Sequence, residues 1–182
     1  MGLKLVLELG AKAPDFGNLQ GADGKRYSLG SFGDKPVLVV MFTCNHCPYA
    51  VAYEDRVIAT QRDYAGRGIQ VVAINANDDK AYPEDGYPEM VKRAKAKGFN
   101  FPYLRDQDQK AAEAYGAVCT PHAFVFDKER KLRYRGRIDD SRDPKQVKSN
   151  DLRNALDDLL AGRSVKVSDT KPFGCSIKWM EV

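Results

Sequence analysis

The amino-acid sequence predicts an α/β sandwich built around a mixed central sheet. The runs Val37–Phe42 and Ile69–Asn75 are apolar and β-branched without polar alternation, which is typical of central strands buried on both faces. A helix-like stretch separates them, so they are predicted to form a β-α-β unit with parallel strands and a right-handed crossover. Residues 123–127 and Leu132–Gly136 flank a polar turn and predict an antiparallel hairpin.

Length and composition favour one globular domain, residues 1–182. The chain has 182 residues, 43% of them hydrophobic and 30% charged, which is ordinary for a soluble domain with a sizeable core. The net charge of +4 is small and evenly spread, so nucleic acid and membrane surfaces are not expected partners. The apolar residues 1–9 are interrupted by Lys4 and Glu8 and precede no small-residue cleavage site, so no signal peptide is predicted and a cytoplasmic location is expected.

The first elements follow from turn residues and from proline. Pro14 keeps the residue before it extended. Residues 16–19 and 25–29 flank a turn at 22–24 and predict an N-terminal hairpin. After the first central strand, Pro48 suits the first turn of a helix, where its missing N–H costs nothing.

That helix is predicted to run to Tyr64, with Val51, Val57, Ile58 and Tyr64 toward the core. An insertion follows the second central strand. Its polar start, residues 77–87, carries four acids that are interpreted as a solvated loop rather than a metal site: Asp78, Asp79, Glu84 and Asp85.

The rest of the chain alternates between helical and extended patterns. Helices are predicted at residues 88–97 and 108–115, with an extended piece at 99–104 between them. Ser149 is predicted to cap a last helix, Asp151–Leu160. Residues 163–182 are predicted to form a tail that packs back onto the body.

The chain has four cysteines, and two of them form a C-x-x-C motif. Structural disulfides are not expected in a chain of this size without a signal peptide. Cys44 and Cys47 come directly after a buried strand and at the N-terminus of a predicted helix, which indicates redox chemistry.

Each residue of the motif has a predicted role. At a helix N-terminus Cys44 would meet unpaired N–H groups and the positive end of the helix dipole, so it is predicted to have a lowered pKa and to act as the nucleophile. Cys47 is predicted to resolve the mixed disulfide. Asn45 and His46 lie between them and are predicted to tune the couple, His46 by stabilising the thiolate.

Metal binding is the alternative interpretation of the pair. Zinc usually takes four ligands, and the remaining thiol and imidazole candidates are Cys119, His122 and Cys175. Redox chemistry is the favoured interpretation of the two, with no metal expected.

A second motif, Cys119-Thr120-Pro121, follows a predicted helix and precedes a strand. A C-x-x-C at a strand–helix junction followed by a proline before a later hairpin resembles the thioredoxin fold. The resemblance implies that Pro121 is cis and lies against the dithiol, and that the backbone of Thr120 pairs with an extended substrate. An ordinary loop proline is the alternative.

The resemblance extends to longer segments. Residues 13–16, the turn at 23–25 and the insertion between Asn75 and Tyr115 resemble the redoxin branch, which includes alkyl hydroperoxide reductases, thiol-specific antioxidant proteins and the TlpA/ResA-type proteins. Four blocks are similar to a bacterial group of peroxiredoxin-like, thioredoxin-family proteins: residues 44–49, 74–78, 134–140 and 174–179.

This resemblance implies a thiol-disulfide oxidoreductase that needs no metal or organic cofactor. Its substrate would be a protein or small-molecule disulfide, and a thiol reductant would regenerate it. A slow thiol peroxidase with antioxidant activity is one alternative. A metal-binding or redox-sensing module that uses Cys44, Cys47 and His46 without turnover is the alternative from another class.

Two departures from the family patterns limit these implications. The proline and threonine that precede a peroxidatic cysteine are replaced by Val37 and Met41, which disfavours a fast peroxidase. The strand before the motif carries no acid, so proton transfer is assigned to His46, Glu54 or water.

Cys119 and Cys175 are candidate auxiliary redox residues. Cys119 is predicted either as a second resolving thiol or as an ordinary buried cysteine. Cys175 is predicted either to close on Cys119 or to stay reduced.

Overall fold

The computed structural model describes residues 6–182, so the start of the N-terminal stretch that was predicted not to be a signal peptide lies outside the described residues. The strands and helices in chain order are β1 (Leu19–Gly21), β2 (Arg26–Tyr27), β3 (Val37–Phe42), α1 (Pro48–Tyr64), β4 (Ile69–Asn75), α2 (Tyr87–Lys97), β5 (Tyr103–Arg105), α3 (Lys110–Tyr115), β6 (Cys119–Thr120), β7 (His122–Phe126), β8 (Leu132–Gly136), α4 (Asp151–Leu160) and β9 (Cys175–Ser176). Short 3-10 helices lie at Leu29–Phe32, Ala65–Arg67, Pro83–Asp85 and Pro144–Gln146.

The central sheet is mixed, which confirms the predicted fold class. Its seven strands lie in the order β2-β1-β5-β4-β3-β7-β8. The strands β3, β4 and β5 are parallel, whereas β7 runs antiparallel to β3 and β8 antiparallel to β7. A small second sheet joins β6 to β9 near the end of the chain.

The strand β3 is buried on both faces, as its sequence predicts. Alternate residues, beginning with Val37, pack in one layer with side chains of α1 and α4. The residues between them, beginning with Leu38, pack in the other layer with α3. Every residue of β3 is at most 5% exposed, so the strand is a rigid base for the cysteines that follow it.

The predicted limits of α1 are right, but its inward face is not. Val51 was predicted toward the core, yet it is 37% exposed. The inward stripe is made by Ala50, Tyr53, Val57 and Tyr64, which recur at three, four and seven residues. Val51 lies one position off that stripe, so it faces outward.

The helix α4 also has the predicted limits but not the predicted cap. Its N-cap residue is Asn150, and Ser149 instead donates a hydrogen bond to the Oδ1 atom of Asp151 over 2.8 Å. The prediction of Ser149 as the cap was therefore wrong.

The insertion contributes a strand to the sheet. β5 pairs with β4 in parallel, and the N-terminal hairpin pairs with β5 through Gln20 and Arg105. The insertion is therefore part of the central sheet, and its loops lie at the same edge of the sheet as the ends of β3 and β4.

The C-terminal residues cross the edge of the sheet where β3 and β4 end. The ring of Phe173 lies 6.0 Å from that of Tyr49, centroid to centroid, and Ile177 is 4% exposed. The N–H of Lys178 donates to Oδ1 of Asn77 over 2.9 Å. Within residues 6–182, none of the helices combines the length and apolar character required to cross a membrane.

Candidate redox site

The dithiol lies in the turn between β3 and α1. The N–H of Thr43 still bonds the carbonyl of Ile74 over 2.9 Å, so β3 holds its register up to the motif. Cys47 is the N-cap residue of α1, and Pro48 is its first residue. Both thiol-bearing residues are buried, since Cys44 is 2% exposed and Cys47 is fully covered.

The loop with Thr120 and Pro121 closes over the dithiol. The peptide bond between these two residues is cis, as the resemblance implies. The hydroxyl of Thr120 lies 3.3 Å from the Sγ atom of Cys44, and its carbonyl oxygen lies 3.5 Å from the Sγ atom of Cys47. The structure thus brings Thr120, one of the two predicted substrate-binding residues, into contact with the predicted catalytic pair, and Pro121 follows it across the cis peptide bond.

The two thiols do not ionise as the sequence predicted. Cys44 was predicted to have a lowered pKa, but its hydrogen bond to Cys47 and its burial raise that pKa. The same hydrogen bond lowers the pKa of Cys47 to about 4, assisted by the thiol of Cys175 and the N–H groups of Ala50 and Cys175. The physical reason is position, because Cys47 rather than Cys44 occupies the N-cap. The pair shares one proton, and its titration belongs to the couple rather than to either sulfur.

Asp85 is a buried acid beside Cys44. It was interpreted as part of a solvated loop, but it is fully buried at the end of the Pro83–Asp85 turn. Its carboxylate accepts from the N–H of Asn45 over 2.6 Å and from the amides of Asn75 and Asn77 over 3.1 and 2.9 Å. It also bonds Nδ1 of His46. These donors explain why a charged group is tolerated there.

Sequence reasoning missed Asp85 because the insertion loop has no periodicity that distinguishes a buried acid from exposed ones. A topological signal was nevertheless present. The carboxyl ends of parallel β3 and β4 meet at one edge of the sheet, so the loop after β4 must lie beside the motif after β3. The charge of Asp85 contributes to the raised pKa of Cys44.

Asn45 and His46 tie the motif to this loop. The Nδ2 atom of Asn45 donates to the carbonyl of Glu84 over 2.8 Å, and its Oδ1 atom accepts from the hydroxyl of Tyr103 over 2.7 Å. The ring of His46 stacks on Tyr82 with centroids 5.3 Å apart. The side chain of His46 is 24% exposed, so it gives the otherwise covered site an accessible titratable group.

Glu54, a predicted proton-transfer residue, is engaged elsewhere. Both of its carboxylate oxygens accept from Arg93, over 2.9 and 2.6 Å. This bidentate ion pair fixes α1 against α2, so the structure gives Glu54 a structural role.

One group of possible metal ligands includes Cys44 of the dithiol. The ligand atoms of Cys44, His46 and Asp85 all lie within 4.8 Å of one another, whereas Cys47 is not in this group. Asp85 already accepts from its backbone, amide and imidazole donors, so it forms a hydrogen-bonded centre rather than an open ligand set. His122 packs on Phe124, with ring centroids 4.4 Å apart, and burial lowers the pKa of His122 to about 4.

The two remaining cysteines differ. The Sγ atom of Cys119 lies 3.9 Å from the carbonyl of Pro121, and burial raises the pKa of Cys119 to about 12. Cys175 packs against the cluster of Cys44, Cys47 and Ala50. Cys119 lies opposite Ser176 in the β6–β9 pair and Cys175 lies opposite Thr120, so the two cysteines do not face each other across the strands, and both thiols are free.

The C-x-x-C against a cis-proline loop on a mixed sheet agrees with the family comparison. A family model described as Redoxin matches residues 8–156. The chain belongs to the Redoxin family. The resemblance to the redoxin branch is therefore confirmed, and the matched residues include the dithiol and the Thr120–Pro121 loop of this redoxin.

Individual relatives extend the comparison. The solved structure of a hypothetical protein from Sinorhizobium meliloti 1021 is 42% identical to this redoxin, covers 98% of each chain and has a TM-score of 0.92. The thiol-disulfide oxidoreductase ResA of Geobacillus thermodenitrificans is 26% identical over 132 residues, 71% of this chain and 70% of ResA. A solved thiol:disulfide interchange protein of the thioredoxin family from Chlorobium tepidum is 23% identical, covers 72% of this chain and 87% of that chain, and has a TM-score of 0.58. These likenesses confirm the thioredoxin-like fold.

Proposed function

We propose that this redoxin is a thiol-disulfide oxidoreductase in which Cys44 attacks a substrate disulfide and Cys47 resolves the mixed disulfide. Membership in the Redoxin family and the likeness to ResA bear out the predicted activity class. The observation that carries the assignment is the position of the dithiol at the N-terminus of α1 against the Thr120–Pro121 loop, where the Thr120 hydroxyl lies 3.3 Å from the Sγ atom of Cys44.

The first step uses the one proton that the two thiols share. With the shared proton on Cys47, the Cys44 thiolate attacks one sulfur of the substrate disulfide. A Cys44–substrate bond forms, and the other substrate sulfur leaves as a thiolate. His46 is the partly exposed titratable group near Cys44, so it or water protonates that leaving group.

The second step uses the environment of Cys47. The N–H groups of Ala50 and Cys175 favour its thiolate, so Cys47 gives its proton to water and its sulfur attacks the Sγ atom of Cys44. The Cys44–Cys47 disulfide forms and the second substrate thiol is released. An external thiol reductant then supplies two electrons and restores the dithiol.

We infer that the couple is more oxidising than an unperturbed dithiol. A thiolate stabilised at pH 7 lowers the free energy of the reduced form, which raises the reduction potential. The lowered pKa of Cys47 supports this direction, because that thiolate exists only when the disulfide is reduced.

Insulin reduction in the presence of dithiothreitol tests the assignment. We expect turnover by the wild-type protein and loss of turnover in Cys44→Ser. We expect Cys47→Ser to accumulate a mixed disulfide with the substrate, and Cys119→Ser to behave as the wild type. Full activity in Cys44→Ser would show that the proposed nucleophile is wrong.

A slow thiol peroxidase remains the alternative within enzymes. Val37 and Met41 stand where a peroxidatic site has proline and threonine, which disfavours it. Stopped-flow oxidation by hydrogen peroxide that is orders of magnitude faster than that of a free thiol would favour the peroxidase instead.

Partners and location are proposed in general terms only. A disulfide substrate and a thiol reductant follow from the reaction, and both protein and small-molecule disulfides fit it. The cytoplasmic location stays a prediction, which cell fractionation would test. Stoichiometric zinc in purified reduced protein would favour the metal-binding alternative.

A further inference from the structure

The C-terminal strand β9 occupies the place where an extended substrate would pair. Thr120 lies opposite Cys175 in the antiparallel pair of β6 and β9. The backbone approach is close, because a Cβ atom at Gly174 would clash with the carbonyl of Thr120. The chain thus presents its own cysteine to the dithiol beside the cis-proline loop.

The segment is held there from both sides. After β9, the N–H of Ile177 bonds the carbonyl of Val118 over 3.3 Å, and the N–H of Lys178 bonds Oδ1 of Asn77. Before β9, the N–H of Thr170 bonds the carbonyl of Arg135 over 3.1 Å. Cys175 is therefore positioned by its neighbours on both sides.

The thiol of Cys47 interacts with both of the other two thiols, those of Cys44 and Cys175. The thiols of Cys44 and Cys175 both stabilise the negative charge on Cys47, and Cys175 packs against the pair. A disulfide exchange needs an attacking sulfur and a leaving sulfur on the same central sulfur. Cys175, Cys47 and Cys44 supply such a set.

We infer that Cys175 is a third redox-active thiol, which displaces Cys44 from its disulfide with Cys47. The inference rests on the proposed function, which supplies the Cys44–Cys47 disulfide. Cys175 gives up its proton to water as its sulfur attacks the Sγ atom of Cys47, the Cys47–Cys175 bond forms, the Cys44–Cys47 bond breaks, and Cys44 leaves as a thiolate that takes up a proton. No electrons enter or leave the protein in this exchange.

The exchange separates the attack on substrate, which Cys44 makes, from the disulfide that the oxidised protein holds. Oxidised protein would hold its disulfide between Cys47 and Cys175 and carry a free Cys44 next to the hydroxyl of Thr120. The new disulfide also ties the C-terminal segment to the N-terminus of α1. Cys119 takes no part, because its thiol contacts Pro121.

Disulfide mapping tests the inference in the full chain. The reduced protein is oxidised with oxidised glutathione, free thiols are alkylated in acid, and non-reduced tryptic peptides are identified by mass spectrometry. No lysine or arginine lies between Cys44 and Cys47, so their disulfide is internal to one peptide, whereas a Cys47–Cys175 disulfide joins two.

Three variants identify the sulfurs. We expect the joined peptides in the wild type and in Cys119→Ser, and their loss in Cys175→Ser. In Cys44→Ser we expect nearly complete conversion to the Cys47–Cys175 disulfide. A Cys44→Ser protein that keeps its native circular dichroism spectrum but yields only glutathione adducts would overturn the inference.

The inference and the proposed function fail in different ways. Insulin turnover by the wild type together with no joined peptide in Cys44→Ser would refute the third thiol and leave the oxidoreductase intact. Joined peptides without turnover would support the contact between Cys47 and Cys175 and refute the oxidoreductase on which the exchange depends.

Discussion

The two sulfurs of the dithiol lie in opposite environments, although only two residues separate them. Cys44 faces the side chains of the insertion, where the negative charge of Asp85 contributes to its raised pKa. Cys47 faces backbone N–H groups of α1 and of the C-terminal segment, together with thiols, and these lower its pKa. Burial alone would raise the pKa of both. The contrast shows that neighbouring dipoles and charges decide which sulfur ionises.

The largest expected effect is that of Asp85→Asn. The substitution removes a buried charge and turns an amide toward the donors of Asn45, Asn75 and Asn77, so we expect a loss of about 3 kcal/mol in the free energy of unfolding. We also expect the pKa of Cys44 to fall, since a negative charge near it is gone. Urea unfolding and the ultraviolet absorbance of the thiolate measure the two effects.

Glu84→Gln is the matched control for this prediction. Glu84 is the neighbouring acid and is exposed, so we expect little change in either quantity. If Asp85→Asn were as stable as Glu84→Gln, the charge of Asp85 would not account for the contrast between the two sides of the dithiol.

Gly174→Ala tests whether the C-terminal segment covers the dithiol. The added methyl group would clash with the Thr120 carbonyl, and such overpacking costs about 1–3 kcal/mol. We expect β9 to separate from β6 and the alkylation rate of Cys44 by iodoacetamide to rise about tenfold. Gly66→Ala is the control, because a Cβ atom there meets nothing within 4 Å. Equal alkylation rates in the two variants would show that the segment does not cover the site.

The pH dependence of the reduction potential tests whether the reduced dithiol carries one negative charge. Reduction of a disulfide takes up two electrons and two protons, but only one proton where one product thiol is ionised. Above the pKa of Cys47, about 4, and below the raised pKa of Cys44, we expect the potential to fall by about 30 mV per pH unit. A slope of about 60 mV per pH unit would mean that neither thiol is ionised. Glutathione equilibration at several pH values measures the slope.

The smallest expected effect is that of Thr120→Val. Its hydroxyl lies 3.3 Å from the Cys44 sulfur and favours the thiolate. Loss of one such bond costs about 1 kcal/mol, or about fivefold in rate. We expect slower insulin reduction with a further rise in the pKa of Cys44, and Thr120→Ser should retain both values. Unchanged kinetics in Thr120→Val would mean that this hydroxyl does not act on Cys44.

Much of the fold was determined by the sequence alone. Val37–Phe42 and Ile69–Asn75 are apolar without alternation, and a strand with that pattern must be covered on both faces. Glycine and proline placed the ends of α1 and α2. Errors such as Val51 and Ser149 were local, because single positions on a helix depend on how it is rotated against its neighbours.

The dithiol was also identified from the sequence, since the C-x-x-C spacing and the strand before it are local properties. The tertiary structure alone decided how each sulfur is tuned. Asp85 lies thirty-eight residues after Cys47, and Cys175 lies far beyond it near the end of the chain. Long-range charges and backbone dipoles shift a pKa according to distance in space, and that distance is set by the meeting of β3 with β4 and of β6 with β9.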